Sequence, residues 1–327
     1  MGRKQGPRKG SMQFWPRKRA EKILPRVNWK PFVAKTSNQK PSLLGFIGYK
    51  AGMASAFVKD NTNDSMTKGK KIIIPVTIVE CPTMKILSVR FYKNKKIAKE
   101  VLNEGLDKEL QRVIKLPKKK INIKELIEKL EKEVANFDDV HVLVYSESKK
   151  AEIKKTPDLV ELAIAGNNIT EKLNFIKEHL NKEISITDVF PKGLVDIRGL
   201  TKGHGFSGAV KRFGIHYRNH KAEKGQKRVG SIGGWHPIGV RFTVPRAGQL
   251  GYFTRMVYNS SIVSSKKFTA EDPVSKFTFD HYGNVKTDYL ILRGSVQGSQ
   301  KRPLCITSPL RSDKRQIKKN FELIELR

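Results

Sequence analysis

The sequence predicts a mostly β body, interrupted once by a charge-neutral α/β module and once by a long basic loop. Three observations carry this. Short runs rich in Ile, Val and Leu, bounded by Gly, Pro and Asn, recur as strands do. Between residues 96 and 182 the period turns helical and Lys mixes evenly with Glu. Residues 198–247 hold Gly, Lys, Arg and His with almost no periodic apolar pattern. A structureless stretch of that length in a compact domain is either disordered or ordered by something outside the protein.

Residues 1–40 read as a basic N-terminal extension. Pro7, Pro16, Pro25 and Pro31 break any long helix. Phe14, Trp15, Trp29 and Phe32 interleave with Arg and Lys, which suits an arm that stacks on bases or fills protein pockets. Residues 41–95 form the first part of the β body. A hairpin is expected over 42–59, with strands 43–49 and 53–58 about a turn at 50–52. Strands 71–80 and 84–92 follow, separated by Cys81, Pro82 and Thr83.

Residues 96–182 form the inserted module. Over 124–137, Leu126, Ile127, Leu130, Val134 and Phe137 share one helix face, and Glu125/Lys129 and Glu128/Lys132 sit at i,i+4. Residues 140–145 read as a buried strand. Thr156, Pro157 and Asp158 predict a helix start, with Gly166 as its stop. A further helix is expected over 168–180, with Leu173, Ile176 and Leu180 inward. The module's acids are expected to pair with lysines along helices. Residues 183–200 return to the body, with a strand over 184–190. After the loop at 201–247, residues 248–327 complete the body with strands near 251–258, 276–280, 285–292 and 303–306, and a basic C-terminal segment.

Charge narrows the partner. The 327 residues carry 65 Lys and Arg against 31 Asp and Glu, a net charge of +34. Residues 96–192 hold 19 basic and 18 acidic side chains, so nearly all of the excess lies elsewhere. It concentrates in residues 1–40 and 198–260, each with 12 basic residues and one acid, and in 293–320, with 8 and one. Such segments repel themselves unless counter-charge is supplied, which points to a polyanion. The longest apolar run, 72–79, contains Pro75 and is too short to span a bilayer. The N-terminus lacks the apolar core of a secretory signal, so a cytosolic protein is expected. Cys81 and Cys305 are the only cysteines, which excludes a disulfide framework or a multi-cysteine zinc site.

Candidate binding residues follow from the charge map. The arm offers Arg3, Lys4, Arg8, Lys9, Arg17, Lys18 and Arg19, with Trp15 for stacking. The loop offers Lys202, Lys211, Arg212, Arg218, Lys224, Lys227, Arg228, Arg241, Arg246 and Arg255. His204, His220 and His236 suit hydrogen bonds or stacking to RNA; with no Cys or carboxylate cluster beside them, no metal is expected. Residues 203–208, GHGFSG, match GxGxxG, with Glu223 twenty residues on. The flanking sequence is neither strand nor amphipathic helix, so no dinucleotide cofactor is expected. Glycines here let the backbone approach phosphates that Lys202, Lys211 and Arg212 neutralise. No catalytic constellation or small-molecule pocket motif is present. In GGWHP, residues 233–237, Trp235 between flexible glycines and a proline suits a loop tip that inserts into a partner.

These residues resemble the universal large-subunit ribosomal protein L3 family (uL3) in its archaeal and eukaryotic form. Residues 196–212 carry D-x-x-G-x-T-x-G-H-G-x-x-G-x-x-x-R in register. The similarity continues through VGSIGGWHP at 229–237, VPRAGQLGYFTR at 244–255 and the basic start GPRKGSMQFWPRKRA. It implies a translation-protein-type β-barrel whose arm and loop penetrate 23S-type rRNA. It also implies an early role in subunit assembly, neighbouring large-subunit proteins as partners, and no enzymatic activity. Trp235 matches the family's loop-tip tryptophan, near the peptidyl transferase centre and the aminoacyl-tRNA entry path. Eukaryotic relatives carry a methylated histidine twelve residues before that tip; here Glu223 stands there, so that modification is not expected. Two other readings remain at this point, an RNA-modifying enzyme and a general nucleic-acid-binding protein.

Overall fold

The computed structural model describes residues 14–117, 123–269 and 271–327. The predicted contacts Arg3, Lys4, Arg8 and Lys9 lie outside these residues. In chain order the elements are α1 (Lys30–Lys35), β1 (Gly45–Asp60), β2 (Lys71–Glu80), β3 (Met84–Lys93), β4 (Lys96–Leu102), α2 (Ile123–Lys132), β5 (Asp139–Ser146), β6 (Leu159–Ala163), α3 (Ile169–His179), α4 (Ile186–Val189), β7 (Leu194–Leu200), β8 (Gly203–Ser207), α5 (Ala209–Phe213), β9 (Gly248–Gly251), β10 (Thr254–Lys266), β11 (Tyr289–Arg293), β12 (Pro303–Thr307), α6 (Lys314–Ile317) and β13 (Phe321–Leu326). The chain divides into a larger unit, Leu24–Gly199 with Met256–Arg327, and a smaller one, residues up to Ile23 with Leu200–Arg255.

The larger unit is mostly β. Its main sheet runs β12-β7-β10-β11-β2-β1-β13, and β12 pairs additionally with β1. The expected hairpin over 42–59 is instead one long strand, β1. It pairs with β2 from Tyr49↔Glu80 to Lys59↔Lys71, and the register slips between Lys50 and Gly52. The local break is thus a bulge, which bends a strand without reversing it. A Cβ on Gly52 would stand 2.3 Å from the Phe279 ring, so a glycine is required at the bend. β13, absent from the expected strands, pairs with the far half of β1.

A second sheet, β4-β3-β5-β6, forms the core of the inserted module. Composition places the module's start at 96, but strand pairing includes β3, so the sheet changes at Cys81–Thr83. Leu126, Ile127 and Leu130 of α2 and Leu173 and Ile176 of α3 pack into the adjoining core, as their spacing predicts. The expected helix after Pro157 is strand β6, paired to β5 from His141↔Ala163 to Tyr145↔Leu159. Val160 and Leu162 alternate inward with period two, and a five-residue segment gains more from a sheet edge than from an isolated helix. The expected strand over 184–190 holds only a bridge from Ile184 to Met84 and then the single turn α4. Ser185 and Asp188 form a reciprocal capping box there, a signature present in the sequence. The strand expected over 276–280 is likewise not formed, apart from a bridge at Phe279.

Trp29 and Phe32 do not serve an extended arm. Both are buried in the core, and the Trp29 indole donates to the Glu161 carbonyl at 2.9 Å. The module's described ion pairs run mainly between elements rather than along helices. Lys85 meets Glu147 at 2.8 Å, and Arg90 reaches both Glu100 and Glu161. Lys172, only 1% exposed, reaches Asp139 at 2.7 Å.

His141 sits between two carboxylates, 2.9 Å from Glu161 and 3.4 Å from Asp139. Burial pushes its pKa down, but hydrogen bonds to Asp139 and Glu161 outweigh it, and the net shift is upward from 6.5. A pKa raised on folding gives stability that is full below the unfolded value and lost as pH rises through the folded one. The urea midpoint of the wild-type chain is therefore expected to fall relative to a His141→Gln variant as pH climbs from about 6.5 through the raised pKa of the folded state. Parallel curves for the two proteins over that range would refute the assignment.

Among the described residues no helix is long and apolar enough to cross a membrane.

Candidate nucleic-acid interface

The smaller unit is built on a short ladder. β8 and β9 pair antiparallel, from Gly203↔Gly251 to Ser207↔Gly248. The Thr201 amide donates to the Phe253 carbonyl at 3.0 Å, and the Tyr252 amide donates to Lys202 at 3.2 Å. Gly251 has φ +74°, and a Cβ there would lie 1.9 Å from the Lys202 carbonyl oxygen. The close approach of these two strands thus depends on glycine. Gly203 and Gly205 lie within β8, and Gly208 is the N-cap that joins β8 to the five-residue helix α5.

An aromatic and cationic cluster joins the described part of the arm to this base. Trp15 stacks with Phe213 at 6.3 Å between ring centres and meets Phe242 edge-on at 5.5 Å. The Arg17 guanidinium lies 4.5 Å from the Phe213 ring centre, and Arg212 lies 5.1 Å from it. Arg255 covers Phe14 at 4.4 Å, and the Ala20 amide donates to Tyr252 at 3.1 Å. Of the two roles the sequence left open for the arm's aromatics, stacking on bases or filling a protein pocket, Trp15 here packs on Phe213 and Phe242. Arg212, expected on phosphates, donates from Nε to the Gln249 carbonyl at 2.9 Å and from Nη1 to Arg246 at 3.0 Å. Burial, then the Arg255 charge, lowers the Arg17 pKa; burial, then Arg17, lowers that of Arg212. In both cases burial is the larger cause and the neighbouring guanidinium the smaller.

Phe213 and Phe242 complete this cluster, and the sequence did not single out either. Phe242 stands in a segment without periodicity, and nothing local marks it as the partner of Trp15. Only the alternation of aromatics with cations around both residues hints at the cluster.

From 214 to 247 there is no helix or strand among the described residues. Arg218 closes a local turn, its amide donating to Gln226 at 3.0 Å and its Nη2 to Val229 at 2.6 Å. Every residue from Gly230 to Phe242 is exposed. Trp235 and Ile238 are each 83% exposed. Lys224, Lys227, Arg228, His236 and Arg241 are exposed in the same stretch, as are Lys202, His204, Lys211, His220 and Arg246 nearer its base, and Lys18 and Arg19 on the arm.

The family model for ribosomal protein L3 matches residues 1–326. The chain belongs to the ribosomal protein L3 family. Among curated relatives, the large ribosomal subunit protein uL3 of Methanocaldococcus jannaschii is 40% identical over 95% of this chain and 93% of its own length. The uL3 of Methanobrevibacter smithii is 40% identical over 95% and 94%. That of Nanoarchaeum equitans is 36% identical over 98% and 96%. Ribosomal protein L3 family members are structural, non-enzymatic constituents of the large ribosomal subunit, and the mostly β larger unit is consistent with that family's fold. The RNA-modifying enzyme is thereby set aside.

Proposed function

We propose that this chain is an rRNA-binding structural constituent of the large ribosomal subunit, acting in the cytoplasm and taking part early in assembly. The larger unit serves as a translation-protein-type barrel, for which the pairing of β12 with both β7 and β1 is the support. Arm and loop cations neutralise phosphates of 23S-type rRNA, with neighbouring large-subunit proteins alongside. Trp235 is the loop tip directed at the peptidyl transferase centre. The observation that carries this reading is the exposed stretch from Gly230 to Phe242. It sets the exposed Trp235, Ile238 and Phe242 beside Arg241, directly after the exposed Lys224, Lys227 and Arg228, on a braced base and with no core of its own. Such a segment gains its order from a partner with both charge and stackable surfaces, and structured RNA supplies both.

The test is binding of the full chain to large-subunit rRNA across a salt series. Replacing Lys224, Lys227 and Arg228 together by Gln is expected to flatten the log affinity against log salt slope by about 2. Trp235→Ala is expected to leave that slope and subunit assembly unchanged while slowing tRNA accommodation in the assembled ribosome. An unaltered slope in the triple variant would sink the phosphate role of the loop.

A further inference from the structure

The third basic stretch, 293–320, has no part in the interface above, yet it helps to line a distinct cavity. That cavity lies wholly within the larger unit and has a volume of about 740 Å³. One wall is the turn after β1, from Asp60 to Thr67. The other is formed by Arg293 at the end of β11, Arg315 of α6, Lys318, Lys319 and Phe321. Segments more than two hundred residues apart in sequence thus build one concave site.

We propose that this cavity is a second RNA-docking site, which takes an unpaired nucleotide of the same large-subunit rRNA. The proposal rests on the rRNA-binding reading given above. Its volume lies within the usual range of about 300–1,000 Å³ for small-ligand sites, so it admits a nucleotide rather than only a flat duplex face. The charge suits a phosphate. Arg315, Lys318 and Lys319 are exposed, and the side chains of Arg315 and Lys319 have no carboxylate partner among the described residues. Lys318 meets Asp64 only at 3.9 Å, with both side chains exposed, a pair of little worth.

The cavity's other acid is already committed. Asp60 accepts from the Thr62 amide at 3.0 Å and from the Ser65 and Thr67 hydroxyls, each at 2.6 Å. Burial alone would raise its pKa, but those bonds reverse the direction and hold it ionised as the hub of the turn. Ile72 and Phe321 supply an apolar wall for a base, and the Arg293 guanidinium lies 5.2 Å from the Phe321 ring centre. A cationic rim beside an aromatic wall is the pairing by which proteins hold single-stranded RNA.

Two measurements on the full chain test this. The first compares wild type with a variant carrying Arg315→Gln, Lys318→Gln and Lys319→Gln, all at exposed positions where folding is unaffected. The salt slope for large-subunit rRNA is expected to flatten by about 2, at about 0.7 for each lost contact to a single strand. The second tethers a hydroxyl-radical-generating iron chelate at Asn320→Cys or, separately, at Ser231→Cys. Cys81 and Cys305 are fully buried, so the introduced thiol is the one labelled. The two chelates are expected to cut different rRNA segments. An unchanged slope together with no cuts from position 320 overturns the proposal, while cuts from position 231 still uphold the loop. Retained RNA binding with loss of binding to a poly-glutamate peptide overturns it in favour of an acidic protein partner. A wild-type chain that binds no large-subunit rRNA overturns both readings.

Discussion

Replacing Glu80 with alanine is expected to cost about 4 kcal/mol of stability, the sum of several lost buried hydrogen bonds. Glu80 ends β2 with none of its surface exposed. Its carboxylate accepts from the Lys286 and Thr287 amides, each at 2.8 Å, from the Thr287 hydroxyl at 2.9 Å, and from the Tyr282 hydroxyl. One side chain thereby satisfies two amides and two hydroxyls of the segment that feeds β11. Alanine leaves two amides and two hydroxyls without a partner and removed from water. Burial is the largest influence on the carboxyl and raises its pKa, against the opposing pull of those donors. Ionising this carboxyl is therefore less favourable than in water, although four donors face it. Glu80→Gln keeps an oxygen for the two amides and removes the buried charge. It is expected to lose less than about 1.5 kcal/mol. Urea unfolding of the two variants separates these values, and equal losses would show that charge rather than hydrogen bonding matters there.

Gly251→Ala is expected to release the base of the loop. At φ +74° an L side chain is strained, and the new Cβ would overlap the Lys202 carbonyl at 1.9 Å. The two effects together amount to about 3 kcal/mol. Amide exchange at Thr201 and Tyr252, whose bonds flank the ladder, is expected to accelerate about a hundredfold. Exchange along β2 and β5, in the larger unit, stays at the wild-type rate. Gly230→Ala, where φ is not positive and a new Cβ would meet no atom within 4 Å, is the control and changes neither. Wild-type exchange at Thr201 in Gly251→Ala would mean that the ladder does not depend on the glycine.

How much of this is legible in the sequence differs from element to element. The strands 71–80 and 84–92 are legible nearly to the residue, because their Ile and Val runs are bounded by Lys and by Cys81-Pro82-Thr83. α3 is legible to within a residue, because Leu173 and Ile176 repeat at helical spacing. β1 is not. A Gly-containing break looks the same in sequence whether the chain reverses or bends, and only the continuing partner β2 makes it a bulge. β6 is hidden because Pro157 opens a strand as readily as a helix, and the open edge of β5 decides which. At the interface, the exposed Lys224, Lys227, Arg228 and Trp235 are all nameable from charge and glycine context. The position of Arg212 is not, since the carbonyls that hold it arrive from Arg246 and Gln249.

Local pattern was enough to settle the partition of charge, the neutral character of the insert, the Gly-rich loop with its tryptophan and the family signature at 196–212. These are properties of consecutive residues, and a chain carries them whatever its fold. Long-range packing decided the rest. It stacked Trp15 on Phe213, buried Trp29 and Phe32 in a core, and closed Asp60 and Arg315 around one cavity. Trp15 with Phe213 and Asp60 with Arg315 each join segments more than a hundred residues apart. No sequence period encodes which buried surface an aromatic or an arginine will meet, because that follows from the burial free energy of the whole fold.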